Sequence, residues 1–227
     1  MTFGALFWAS GARVLKYARL RFLKDRLTEL PAPVPGRSSR GLIFIAGLAL
    51  AGCSAPAVDY RLRAEPGPVV SGAAMAVSVR GVNVPGFLDQ NGIAKLSGAY
   101  RYDSYPNDVW AEPLADMLQA VMVQELGPRL PAAVVVASGG AIGVPVQMVV
   151  EINVLRFDPD PDGRIDLDAQ ISVRRGGDNR VVRTVDFQRL AAPAAGPLAE
   201  VAAMSGLWAQ AADAVAALLA QADAASG

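Results

Sequence analysis

One cysteine, Cys53, stands in the chain, and there is no histidine. A lone thiol makes no internal disulfide. Without imidazole, the Ser-His-Asp and Cys-His nucleophile arrangements and the common His-based zinc sites are excluded. Three uses remain for Cys53: a small buried hydrophobe in a core element, a redox thiol, or a point of lipid attachment. Its flanks choose among them. Arg37 and Arg40 precede an apolar or glycine run from Gly41 to Leu50, and the run closes on Leu50-Ala51-Gly52-Cys53. That run is shorter than the roughly 20 residues a helix needs to cross a bilayer. A basic start, a short apolar middle and a small-residue end describe a signal peptide, and the closing four residues have the form of a bacterial lipobox. The small residues let an extended chain lie in a peptidase groove, and the nucleophilic sulfur takes the lipid. The order of the flanks therefore predicts a leader over 37–52, cleavage before Cys53 and acyl chains on Cys53. A short core helix with a buried cysteine would explain the apolar run but not that order.

Three other clusters have residue types that could do chemistry. In DPDPDGRIDLDA, Asp158, Asp160, Asp162, Gly163, Ile165 and Asp166 fall on the first nine positions of a calcium-loop pattern. The closing bidentate glutamate is absent, because Ala169 stands there. Pro159 and Pro161 stiffen the loop and the flanks have period two, so an acidic hairpin turn is expected and no metal. Glu112 beside Trp110 has no visible partner acid and reads as a helix cap next to an aromatic anchor. Arg174, Arg175, Arg180 and Arg183 gather about one turn. They could touch an acidic partner surface or anionic headgroups, or form a solvated hairpin end. The apolar tip holding Phe87 and Leu88 is a second candidate partner contact, with burial as its alternative. Ser138-Gly139-Gly140 lacks the Lys-Ser/Thr of a phosphate-binding loop. No catalytic residue and no cofactor is expected.

The charge distribution separates two environments. Residues 1–40 carry eight Lys/Arg against two acids, and residues 54–227 carry thirteen against nineteen, a net charge of −6. A basic leader stays on the cytoplasmic side of a membrane. An acidic body is a poor match for nucleic acid. Residues 1–36 form a basic extension with helical spacing of apolar residues. They read either as a membrane-surface helix or, in the favoured reading, as a start assigned too early, with a leader beginning near Val34. Residues 53–59 are a short tether, 60–222 a single domain and 223–227 a tail, the 174 residues after Cys53 being enough for a sizeable core.

The elements that must position these groups follow from periodicity. Val58, Tyr60 and Leu62 alternate with polar residues, as do Met75, Val77 and Val79; Val82 and Val84 then change phase, which predicts a bulge or a bend at Gly81. GFLDQNG is a turn, and Leu96 to Asp103 reads as one weak strand. A helix is expected from Pro113, with Glu112 as cap, Leu114, Leu118, Val121, Met122 and Leu126 on its apolar face, and Gly127-Pro128 as its stop. Val146 to Val154, Ile165 to Val173 and Val181 to Phe187 form an antiparallel meander with one wet face. An Ala-rich helix over 197–222, with Leu198, Val201, Trp208, Val215 and Leu219 on one side, should cover the other face.

Taken in order, the lipobox, VDYRLRA, VRGVNVPGFLDQNGIAKL and VWAEPLADMLQAVMVQEL resemble the PqiC-like ABC-type transport auxiliary lipoproteins, which are associated with MCE transport systems. The resemblance covers about residues 53–220 and rests on order and spacing. The long basic N-terminus and the diverged hairpin region depart from it. It implies an α/β domain with a mixed, largely antiparallel sheet and two main helices packed on it. It also implies a periplasmic lipoprotein that partners an MCE-domain protein in moving lipid between inner and outer membranes. Ser54 after the cysteine points to the inner leaflet of the outer membrane by the enterobacterial sorting rule, with the inner membrane as the other destination. Self-association into a homo-oligomer is a further arrangement. Two other classes stand beside this one: an envelope-assembly lipoprotein that docks a cell-wall enzyme, and a periplasmic enzyme.

Overall fold

A bulge in a strand, a bulge in its neighbour and one long helix determine how the chain is layered. The structure is a computed structural model and describes residues 55–72 and 74–224, all in one compact unit. Cys53, the leader and the basic extension lie outside the described residues. Eight strands and two helices follow one another: β1 (Val58–Tyr60), β2 (Ala76–Val79), β3 (Gly92–Leu96), β4 (Tyr102–Trp110), α1 (Leu114–Arg129), β5 (Val134–Ala137), β6 (Met148–Pro159), β7 (Ile165–Arg175), β8 (Val181–Leu190) and α2 (Pro197–Ala224).

The mixed sheet expected from the sequence is two sheets. One has three strands in the order β1-β4-β3 and the other five in the order β5-β2-β6-β7-β8. Parallel pairs join β1 to β4 and β2 to both β5 and β6, while the long strands β6, β7 and β8 form the antiparallel meander. Period-two alternation makes one face of that meander apolar. Met148, Val150, Ile152, Ala169, Ile171 and Val173 are buried beneath the two helices. The phase change at Gly81 is a bulge. Val79 pairs with Val150 and Asn83 with Asn153, so one extra residue of the first chain is accommodated between the two pairs. A second register shift between Val154 and Arg156 turns Leu155 outward.

The helices supply the other layer. Leu114, Leu118, Val121, Met122 and Leu126 of α1 are buried, as the periodicity predicts. In α2, Val201, Trp208, Val215 and Leu219 are buried. Trp208 is fully enclosed, and its indole N–H donates to the Leu118 carbonyl at 3.1 Å, pinning one helix to the other. By length and hydropathy α2 could cross a membrane, but its apolar side faces the domain core. Leu198 is the exception to the expected stripe: at 74% exposure it points to solvent. It sits in the first turn of α2, before the helix reaches the sheet.

Several local expectations are corrected. Leu96 to Asp103 is not one strand but the turn of the β3–β4 hairpin, closed by the Ser97 N–H on the Arg101 carbonyl at 2.8 Å. Gly98, at φ +144°, takes the sharp bend that breaks the strand. Pro106 in β4 sits where the β3–β4 register is irregular, so no ladder bond is lost. The stretch from Asn107 to Trp110, just ahead of the helix, completes β4. Pro113 is the N-cap with extended ψ, and Glu112 makes no cap bond. α1 also runs through Gly127-Pro128 to Arg129. The missing N–H of Pro128 removes one bond in the last turn only, and the Leu130 N–H on the Leu126 carbonyl at 2.9 Å closes the helix. β5, for which the sequence carried no expectation, pairs with β2 at the sheet edge.

Candidate functional site

The acidic loop is a hairpin turn. The Asp160 carboxylate accepts the backbone N–H of Asp162 at 2.8 Å and of Arg164 at 2.9 Å, while Arg164 pairs with both Asp160 and Asp162. Gly163, at φ +79°, lies so close to the Ala194 carbonyl that a Cβ would stand 2.6 Å from it. Asp158 is not with them. It is buried on β6, paired with Arg156 at 3.2 Å, and burial pushes its carboxyl above the usual range against the pull of that arginine. Among the described residues no group of three or more His, Cys, Asp or Glu is placed to hold a metal ion.

The candidate partner contacts separate. Leu88 is 1% exposed and belongs to the core, so it offers no docking surface. Its turn closes with the Leu88 and Asp89 N–H groups on the Pro85 carbonyl, which folds the side chain inward. Phe87 is half-buried, with its ring 4.3 Å from that of Tyr102. The arginine group is divided by strand alternation. Arg183 faces the helix side and reaches Gln221 at 3.5 Å. Arg174 lies on the opposite face, where its Nε donates to Glu151 and its Nη1 to the Asn179 carbonyl. Arg175 and Arg180 flank the β7–β8 turn, joined through the Arg175 N–H on the Arg180 carbonyl at 2.9 Å.

The residue that sequence reasoning missed here is Arg80. It follows β2 directly, and its Nη1 donates to Glu151 at 2.6 Å, on the carboxylate oxygen opposite the one that Arg174 uses. Partial burial works against the charge on Glu151, but the hydrogen bonds from Arg174 and Arg80 outweigh it and hold the carboxyl below its usual value. Alternation placed Arg80 opposite Val79, yet nothing in the sequence pairs β2 with β6. Beside this triad runs a row of amides: Asn83 donates to Asn153, Asn153 to Gln170 and Gln170 to Asp186. Together they line an open groove of about 410 Å³ on the face that carries no helix among the described residues.

A second charged cluster is enclosed. Arg129, at the end of α1, is 1% exposed. Its guanidinium donates to Asp213 of α2 at 2.6 Å, to the Glu65 and Glu125 carbonyls at 3.1 Å and to the Ala209 carbonyl at 3.2 Å. Glu125, one turn earlier, accepts the Glu65 N–H at 3.0 Å. Burial pushes the Glu125 carboxyl up to about 7, against the downward pull of that N–H and of Arg129. The segment 65–70 is thus strapped onto both helices, with the Val70 N–H on the Arg129 carbonyl at 2.7 Å. Glu125 and Arg129 share the helical face of Leu118 and Met122, and an i,i+4 acid–base pair inside an apolar stripe is the signal that marks them. Glu112 instead lines a shallow groove of about 270 Å³ with Arg61 and Arg63.

Two mixed sheets under two helices define an α/β fold. The chain belongs to the ABC-type transport auxiliary lipoprotein component family, whose model matches residues 60–216. It is 30% identical over 137 residues to the intermembrane transport lipoprotein PqiC of Escherichia coli, covering 55% of this chain and 68% of the relative. The PqiC of Shigella flexneri matches equally. Among solved structures, a protein of Xanthomonas campestris superposes with a TM-score of 0.63 at 18% identity, over 73% of this chain and 96% of that one. An uncharacterised protein superposes at 0.61 and 20% identity, over 73% and 99%. These two likenesses show the fold. The family is one of transport auxiliary lipoproteins and is not an enzyme family.

Proposed function

We propose that the chain is a lipid-anchored auxiliary subunit of an MCE-associated, ABC-type lipid transport system. Its leader over 37–52 is removed, Cys53 carries acyl chains, and the domain over 60–222 stands in the periplasm from the inner leaflet of the outer membrane. The observation that carries the reading is the family match, which begins at residue 60, just past the lipobox cysteine. The relative's name, an intermembrane transport lipoprotein, supports the same reading.

The physical role is tethering. Each buried methylene of an acyl chain contributes about 0.8 kcal/mol, and two or more chains give a stable hold. Residues 53–57 span at most about 18 Å when extended, so the domain stays close to the surface that holds it. Confinement to that surface raises the effective concentration at which the domain meets a periplasm-spanning MCE partner.

The test replaces Cys53 by Ala and separates soluble from membrane fractions. The variant is expected to fold, to leave the membrane fraction and to lose co-purification with MCE-domain protein from membranes. A variant that stays with membranes in a strain lacking the MCE partner would overturn the anchor. A wild-type chain that captures a cell-wall synthase in place of MCE and ABC components would overturn the transport assignment.

A further inference from the structure

The chain enters the three-stranded sheet from the side on which the β3–β4 hairpin turns. β1 pairs parallel with β4, Val58 opposite Asp108, so β1 is approached from the direction of that turn. From Asp108 back to Tyr102, β4 covers about 20 Å at the usual rise per residue, and the turn over Ser97–Arg101 stands beyond Tyr102. The segment from Cys53 to Val58 reaches at most about 18 Å. The turn therefore extends at least as far from Val58 as the tether does. It is also built to hold its shape. Besides the backbone bond that closes it, the Arg101 Nε donates to the Ser97 hydroxyl at 3.0 Å, and Phe87 packs on Tyr102 at its base. At the tip Gly98, Ala99 and Tyr100 carry no charge, and Tyr100 is fully exposed. The charges around them nearly cancel. Between Gly92 and Asn107, Lys95 and Arg101 stand against Asp103, which pairs with Arg101. Asp158, which acts on Tyr102 from the neighbouring sheet, shares Arg156 with Asp166, and Asp160 and Asp162 in the turn that follows share Arg164.

We propose that the tip of the β3–β4 hairpin seats in the headgroup region of the bilayer that holds the acyl chains, with the Tyr100 ring as its anchor. A tyrosine joins an apolar ring to a polar hydroxyl, and such side chains are enriched at that depth. With β4 upright on the membrane, the tip meets the surface before the tether is fully drawn out, and the tether is too short to open a gap for a protein there. Because the local charges are paired, the contact needs no anionic lipid. The inference rests on the lipid anchor proposed above and adds a second point of contact. An acyl tether alone lets the domain turn about it, whereas a seated tip fixes which end faces the membrane. The β7–β8 turn then faces away, since Val181 beside it lies at the opposite end of β7 from Asp166 and of β6 from Asp158.

The test uses the full chain made and processed in cells, purified in detergent and reconstituted on phosphatidylcholine vesicles, with Tyr100→Trp as the probe. Trp8 goes with the leader, and Trp110 and Trp208 are buried, so the new indole reports alone on the surface. Its emission should shift to the blue on vesicles and lose about half its intensity when the lipid is brominated near the headgroup end of its acyl chains. Added salt should leave this unchanged. Val181→Trp, at the far end, should show neither effect. In the unaltered chain, amide hydrogen exchange over 98–100 should slow several-fold on vesicles, and Tyr100→Ser should restore the faster rate. A chain that floats with vesicles while the indole at position 100 emits as in water would overturn the inference alone. Equal quenching at positions 100 and 181 would do the same, because no orientation would then be fixed. A blue shift without quenching by brominated lipid would assign the tip to contact with a second copy and also overturn it. A chain that does not float with vesicles at all would overturn the anchor, and this inference with it.

Discussion

The molecule holds two arginine–glutamate networks built from the same residue types and placed in opposite solvents. Arg129 and Glu125 lie inside, between α1, α2 and the strap over 65–70; Arg80, Arg174 and Glu151 lie outside, on the bare sheet face. Inside, Arg129 and Glu125 are enclosed, and removing Arg129 leaves the carbonyls around it without a donor, while Asp213 keeps a partly exposed side chain. Outside, water competes for each contact, the pairs add little to stability, and the groups remain available to a third party. The same residue types therefore lock one region and stay open to solvent in the other.

The sharpest way to break that comparison is to remove a member of each network. Arg129→Met should cost about 3–5 kcal/mol, because it leaves Asp213 and the Glu65, Glu125 and Ala209 carbonyls without their donor. Denaturant unfolding measures it, and a cost near zero would place the buried network on a par with the exposed one.

The next effect is in pH. The folded pKa of Glu125, about 7, lies above its ordinary value, so the folded state holds this proton more tightly than the unfolded state does. The contribution is fully present below the ordinary carboxylate pKa and is lost as pH rises through 7. Between pH 5 and 8 the loss should be about 2–3 kcal/mol. Glu125→Gln should flatten that part of the stability profile, whereas Glu151→Gln, whose carboxyl is shifted the other way, should leave it in place.

A smaller change tests the strap itself. A Cβ on Gly67 would stand 2.2 Å from Nη2 of Arg129, so Gly67→Ala must move either the strap or a fully buried guanidinium. A cost of about 1–3 kcal/mol is expected, with faster amide hydrogen exchange at residues 65–70. Smallest of all, Arg80→Ala should change stability by less than about 1 kcal/mol, since its ion pair is exposed. A larger loss would mean that the outer network is structural.

What the sequence disclosed follows the same division. The meander was legible because β6 and β7 alternate without a break over most of their length, and the apolar stripes of α1 and α2 were legible because their period is helical. β5 was not, because four residues at a sheet edge carry too short a pattern and its partner β2 is distant in sequence. The turn over Leu96 to Asp103 reads as a weak strand in the sequence because the segments on either side of the bend at Gly98 are short and weakly alternating. At the site, Arg174 was visible as part of a local cluster, but only tertiary pairing brings Arg80 to it. Leu88 is open to either reading in the sequence, contact or burial, and the closing bonds on Pro85 put it in the core.

The measurement that tests the whole account most directly is the intact mass of the chain extracted from membranes. A polypeptide that begins at residue 53 and carries the added mass of acyl chains is the predicted result. A chain that retains its leader, or begins at residue 53 with an unmodified thiol, would contradict it.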